Sequence, residues 1–172
     1  MQRFLILSIT CDDKPGVVES LASLIEENKG NWLESRLTNL DGKFAGVVRI
    51  ASSRDNADAL KAALLDLSSP SFHIYCDIIN KTEPQVSATC STFTAVGPDR
   101  SGIIKELSQA FSQQGINVEE LESRLSSMPY SGEPLFEVNG QISAPGNIDL
   151  GELQGRLNVV ANDLGIDIEL KS

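Results

Sequence analysis

The chain lacks most of the devices by which a short protein announces chemistry. It has one histidine in 172 residues, His73, with no acid–thiol or acid–hydroxyl cluster beside it in sequence. A lone strand histidine of this kind reads as an ordinary strand residue rather than a catalytic base or a ligand. Metal binding needs clustered His, Cys or carboxylates at ligand spacing, and only the adjacent pair Asp12-Asp13 comes near it. No metal site and no cofactor is expected. There is no Gly-rich phosphate loop of P-loop length. No apolar run approaches the ~20 residues of a spanning helix. The opening Met1–Leu7 is too short for a signal peptide, lacks a small-residue cleavage site, and reads as a first strand.

Basic residues are also scarce. Lys and Arg number 14 against 24 Asp and Glu, a formal net charge of −10. No basic run occurs, and attraction to phosphate depends on clustered Lys and Arg. Direct nucleic-acid binding and attachment to an anionic membrane are therefore not expected. The second half is the more acidic, with five basic residues (Arg100, Lys105, Arg124, Arg156, Lys171) against twelve acidic ones. The three cysteines, Cys11, Cys76 and Cys90, are an odd number without close pairing. That pattern suits a reducing compartment. Cys11 and Cys76 fall in strand-like segments and read as small buried apolar residues.

What the chain does have is a repeat. Asp13-Lys14-Pro15-Gly16-Val17-Val18 is echoed by Asp99-Arg100-Ser101-Gly102-Ile103-Ile104, and Glu34-Ser35-Arg36-Leu37 returns as Glu122-Ser123-Arg124-Leu125. Two copies argue against an open solenoid, which usually needs three or more. The length suits two units of roughly 85 residues, near the lower end of domain size. The expected division is 1–80, a polar, Pro-containing linker at 81–86, and 87–172.

Within the first copy, Phe4 to Thr10 predicts a strand buried on both faces or nearly so. Pro15 suits the first turn of a helix, and Val17, Val18, Leu21, Leu24 and Ile25 form one amphipathic stripe. Gly30 is expected to end that helix at positive φ. Leu33 to Leu40 predicts a second strand, and Asp41-Gly42 is a two-residue hairpin signal. Phe44, Gly46, Val48 and Ile50 share one face of the third strand. Ala57, Leu60, Leu64 and Leu67 mark a second helix, and His73 to Ile79 a fourth strand. The second copy repeats the order with stripes Ile103, Ile104, Leu107, Ala110, Phe111 and Leu150, Leu153, Leu157, Val160, Leu164, ending in a strand through Ile166, Ile168 and Leu170. The fold class is α+β: two tandem ferredoxin-like βαββαβ units, each a four-stranded antiparallel sheet with two helices on one face.

The repeated turn is the candidate site. In both copies the chain leaves a strand, passes an aspartate and a basic residue, and enters a helix through glycine. A helix N-terminus exposes unpaired N–H groups and partial positive charge, which suits a carboxylate. The nearby aspartate suits an ammonium, so a zwitterionic amino acid offers both groups. The same residues also suit a local role, with Asp13 and Asp99 capping their helices and the glycines turning the chain.

The pattern resembles the ACT domain, a βαββαβ ligand-sensing module. Its hallmark is Asp-(Lys/Arg)-Pro-Gly-(Val/Ile) at the first strand–helix junction, followed by Gly-X-Asn after the helix. Asp13-Lys14-Pro15-Gly16-Val17 matches fully, and Asp99-Arg100-Ser101-Gly102-Ile103 has Ser101 in place of proline. Gly115-Ile116-Asn117 matches the second element, whereas Gly30-Asn31 lacks the intervening residue. A chain of two such domains is similar to the glycine cleavage system transcriptional repressor family. The resemblance implies a cytoplasmic, non-catalytic regulator that senses a small amino acid, glycine foremost. It would act through a DNA-binding protein of the LysR type, and association as a homodimer is open. ACT-like ligands sit where two modules meet. By that resemblance the ligand-binding residues are Asp13, Gly16 and Asn31 in copy one and Asp99, Gly102 and Asn117 in copy two. Arg36 and Arg124 are alternative carboxylate partners, or strand-face arginines paired with glutamates. Two competing readings remain, an interaction module without a ligand and a small enzyme on a ferredoxin-like scaffold.

Overall fold

Alternation along the first strand decides where the core lies. The computed structural model describes residues 2–79, 89–144 and 149–171, so the expected linker at 81–86 lies outside the described residues. The chain divides into two compact units, Met1–Glu83 and Pro84–Ser172. In the first, β1 (Gln2–Asp12) is followed by α1 (Val17–Glu27), β2 (Asn31–Leu40), β3 (Lys43–Ser53), α2 (Arg54–Asp66) and β4 (Phe72–Ile79). The sheet is antiparallel in the order β2-β3-β1-β4. Leu5, Leu7 and Ile9 point to one face, where they are buried with Leu21, Ile25, Ala57, Leu60 and Leu64 of the helices, and Cys11 is buried further along the same strand. Phe4, Ile6 and Ser8 on the other face are only half-buried, and Thr10 is exposed. The expectation of a strand buried on both faces is thus corrected, because both helices pack on one face of a single sheet.

The second unit repeats this with β5 (Thr89–Pro98), α3 (Ile103–Gln113), β6 (Asn117–Ser127), β7 (Pro134–Ala144), α4 (Leu150–Leu164) and β8 (Asp167–Lys171), in the sheet order β6-β7-β5-β8. Phe93 takes the place of Leu7 and meets Phe111 edge to face, with centroids 4.9 Å apart and planes at 69°. Ile103, Leu107, Ala110 and Phe111 are buried as the stripe predicts. In α4 the buried residues are Leu153, Leu157 and Ala161, with Val160 and Leu164 packed beside them. The Leu150 side chain lies outside the described residues.

Several local expectations change. Pro15 precedes the helix rather than opening it, because Gly16 is the N-cap residue. Val18 is 44% exposed and leaves the stripe. Lys29, not Gly30, carries the positive φ after α1, at 56°. Gly30 is needed for room: a Cβ there would lie 2.9 Å from both Ile25 Cγ2 and Leu60 Cδ2. Both α1 and α3 begin one residue after their glycine and have 11 residues. Lys29 therefore stands where Gly115, at φ 70°, stands in the second unit, and Asn31 where Asn117 stands. The missing residue of the first Gly-X-Asn is not missing in space. Lysine has simply replaced the first glycine.

The repeated Glu-Ser-Arg-Leu behaves differently. Trp32 pairs with Ile50 and Val118 with Ile142, and both second strands carry a bulge just beyond. Ser35 pairs with Val48, whose counterpart in β7 is Gly140, and Gly140 pairs with Leu121. Ser35 thus corresponds to Leu121 rather than Ser123. The tetrapeptide sits two residues further along the strand in the second unit, a shift that keeps each side chain on its face because strand period is 2.

β8 is a short edge strand, and an open edge invites another strand. Gln154 of α4 covers it. Its amide nitrogen donates to Ile168 O at 2.9 Å and its oxygen accepts from Leu170 N at 2.8 Å, as a neighbouring strand would. Gln154→Leu should cost on the order of 1–3 kcal/mol for the two bonds and expose the Leu170 amide. Hydrogen exchange checks this: unchanged protection of Leu170 in the variant would show that Gln154 does not hold the edge.

Candidate functional site

The first turn is built by the hairpin opposite it. Asp41 and Gly42, at φ 50° and 77°, close β2 onto β3 as the sequence predicts. The carbonyl of Gly42 then accepts from Asp13 N at 2.9 Å, which pins the end of β1 to the hairpin. Asp12 forms an ion pair with Lys43. The hydrogen bond from Lys43 holds the Asp12 carboxyl below its ordinary range, and the ammonium is raised in turn. Asp13 does not cap the helix. Its Oδ2 accepts from Asn39 Nδ2 at 2.5 Å.

Gly16 caps α1 in the left-handed region, φ 92° and ψ −5°, with no side-chain cap bond. The glycine is required by that backbone conformation. The first N–H groups of α1 have no intrahelical acceptor, and Glu19 is acidic in the same turn. Ser20 bonds back to Gly16 O through its hydroxyl at 2.9 Å. Beside the turn lies a depression of about 200 Å³ lined by Asp13, Lys14, Gly16, Val17, Val18, Glu19 and Phe44.

The second turn has the same backbone and different contents. Asp99 N donates to Pro134 O at 3.0 Å, the counterpart of the Asp13 contact. Gly102 caps α3 at φ 96° and ψ −7°, again without a side-chain cap bond, so Asp99 is not a capping residue either. Here, however, Arg100 grips Glu106 with two hydrogen bonds, Nη1 to Oε1 at 3.2 Å and Nη2 to Oε2 at 2.6 Å. Arg100 Nη2 also donates to Leu164 O at the end of α4, at 3.2 Å. The guanidinium holds the Glu106 carboxyl below the usual carboxylate range. Glu106 Oε1 lies 3.3 Å from where a Cβ on Gly102 would be. The carboxylate therefore sits over the turn.

The two asparagines lie elsewhere. Asn31 pairs with Ala51, which pairs with Phe4 near the start of β1, whereas Asp13 follows its end. Roughly 26 Å of strand separates the rows of Phe4 and Asp12. Asn117 pairs with Ser143 opposite Cys90, equally far from Asp99. Within one unit the structure brings Asp13 to Gly16 and Asp99 to Gly102, but neither pair to its asparagine. Asn117 donates to Glu119 Oε1 at 2.7 Å, which also accepts from Ser143. Those two hydrogen bonds, Ser143 foremost, lower the Glu119 carboxyl.

Arg36 and Arg124 take their ordinary strand-face role. Arg36 lies 3.8 Å from Glu34 and Arg124 lies 2.6 Å from Glu137. Glu137 also accepts from Ser126, and the two donors lower its carboxyl, Ser126 most. His73 is exposed on β4. Cys11 and Cys76 are buried as expected, and burial pushes both thiols up, away from the reactive thiolate. Among the described residues no group of three or more His, Cys, Asp or Glu is placed to hold a metal ion. No helix among the described residues is long and apolar enough to cross a membrane. Sequence reasoning missed Glu106 and its counterpart Ser20, although aligning the repeats four positions past each glycine would have exposed the difference.

Residues 3–70 match the family model of the ACT domain. That match lies within the first unit of the chain. Its second unit shares the sheet order, the left-handed glycine cap and the hairpin contact of the first. Similarity to solved structures extends over both units. A protein of unknown function from Galdieria sulphuraria is 24% identical, with TM-score 0.81 over 99% of this chain and 98% of that one. A protein described provisionally as a glycine cleavage system transcriptional repressor is 17% identical, with TM-score 0.72 over 99% of this chain and 97% of that one. At these identities the likeness is one of fold. Comparison with the curated proteins gives no match.

Proposed function

We propose that this chain is a tandem ACT-domain protein and a non-catalytic regulator that responds to a small amino acid, glycine foremost. In this proposal it works in the cytoplasm and passes the signal to a DNA-binding partner of the LysR type that controls glycine cleavage. The observation that carries the reading is the first turn, where left-handed Gly16 opens α1 onto a depression of about 200 Å³. That is several times the ~30 Å³ share of one water, enough for a small zwitterion. Its carboxylate would meet the unpaired N–H groups of α1, and its ammonium would meet Asp13. Within one unit, Asn31 and Asn117 lie too far from the glycine turns to touch the same ligand. The full-length likeness to the provisionally described repressor supports the choice of glycine.

The acidic balance supports action through a protein rather than on DNA. With a net charge of −10, the isolated chain should give no sequence-specific gel shift even at low salt. A specific shift without any partner would refute that expectation.

A second reading, an interaction module without a ligand, is favoured by one contact. Asn39 already bonds the Asp13 carboxylate that an ammonium would need. Calorimetric titration with glycine, serine and a panel of other amino acids separates the two. Saturable binding of a small amino acid supports the sensor, and no binding across the panel leaves the interaction module.

A further inference from the structure

The two turns have nearly identical backbones, so whatever distinguishes them lies in the side chains. Gly16 and Gly102 differ by only a few degrees in φ and ψ. Four residues into each helix the units diverge. Ser20 is exposed and its hydroxyl bonds back to Gly16 O at 2.9 Å, which ties this short side chain to the helix backbone. Glu106, at the same place in α3, carries a carboxylate that lies over Gly102. One residue after each aspartate the units diverge again. Lys14 lines the depression at the first turn, whereas Arg100 holds Glu106 by a two-point ion pair and ties it to the carbonyl of Leu164. The planar guanidinium matches a carboxylate at two points, which a lysine ammonium does not. Both side chains of the pair are 39% exposed.

We propose that the Arg100–Glu106 clasp closes the second turn, so that the chain takes one small amino acid, at the first turn, and keeps its own carboxylate at the second. This rests on the proposed sensing role. A carboxylate held beside a helix N-terminus has the charge that the dipole favours there. A ligand carboxylate arriving at Gly102 would have to displace a negative group already in place and break its ion pair. At Gly16 nothing lies within 4 Å of where a Cβ would be: the corresponding residue is a serine engaged with the backbone, and the Glu19 side chain, though it lines the depression, does not cover the glycine. The repeat thus yields one open turn and one closed turn rather than two equivalent sites.

The test compares the wild-type chain with Glu106→Ser, which gives the second turn the residue of the first. Exposed ion pairs contribute little to stability, so the variant should fold, and Arg100→Lys provides a second way to loosen the clasp. Calorimetry with glycine should give one site per chain in the wild type and a doubling in Glu106→Ser. Amide resonances at 17–19 should move with glycine in both proteins, and those at 103–105 only in the variants. Two sites in the wild type, or movement at 103–105 without any substitution, would overturn the clasp while leaving the sensing role standing. If glycine binds neither protein, the sensing role fails, and sodium acetate at fixed ionic strength reads the clasp by itself. Acetate should then move the amides at 103–105 in Glu106→Ser and not in the wild type. Equal response in the two, or none in either, would overturn it.

Discussion

Gly46→Ala is expected to unfold the first unit. Gly46 lies on the core side of β3, between Leu37 on one strand and Ile9 on the other. A Cβ there would lie 2.0 Å from the backbone oxygen of Arg36 and 2.8 Å from Leu37 Cα. Overpacking against side chains usually costs ~1–3 kcal/mol because rotamers can shift. Here the obstacle is main chain, so β2 itself must move, and the loss should exceed ~3 kcal/mol, a large share of a small domain's stability. Trp32, the sole tryptophan, packs against the core of this unit and reports on it alone. Its urea midpoint should fall sharply or the transition should vanish. Gly155→Ala is the control, since a Cβ in that part of α4 meets nothing within 4 Å. Removing this mid-helix glycine should stabilise the second unit by roughly 0.5–1 kcal/mol, followed by circular dichroism, and leave the Trp32 midpoint unchanged. A Gly46→Ala protein with an unchanged Trp32 midpoint would show that β2 yields without penalty.

Phe111→Ala is expected to have the next largest effect, in the second unit. Phe111 is fully buried and meets Phe93 edge to face. Truncation removes its apolar burial, leaves a cavity between α3 and the sheet, and breaks the aromatic pair. Large aromatic truncations cost ~3–5 kcal/mol, and an edge-to-face pair adds ~0.5–1.5 kcal/mol beyond area. A unit of this size holds only a few such contributions, so denaturation followed by circular dichroism should show an early phase from the second unit. Phe111→Leu should recover most of the loss, because it refills most of the volume. A Phe111→Ala loss under about 1 kcal/mol would mean that the core collapses onto the space.

Local signals carried the topology because they need only neighbours in sequence. The stripe of α3, the Asp41-Gly42 hairpin and the core face of β3 all appear where the pattern places them. The Asp-X-X-Gly turn was legible for the same reason: Gly16 and Gly102 both adopt the left-handed cap. Legibility failed where a residue answers to something far away. By sequence Gly30 is a helix terminator, yet in the fold it is small because Leu60 of another helix lies against it. The two Glu-Ser-Arg-Leu segments looked equivalent, yet strand pairing places them two residues apart.

By itself, then, the sequence determined that there are two units, that each is βαββαβ, and that each has a glycine-capped helix after an aspartate. Hydrophobic period and turn chemistry act over a few residues and suffice for that. Tertiary structure alone decided that the two Glu-Ser-Arg-Leu segments sit two residues apart on their strands, because register comes from long-range pairing. It alone also decided that the two turns differ in content. Glu106 closes the second turn only because Arg100 can hold it while reaching Leu164, 64 residues away in the chain.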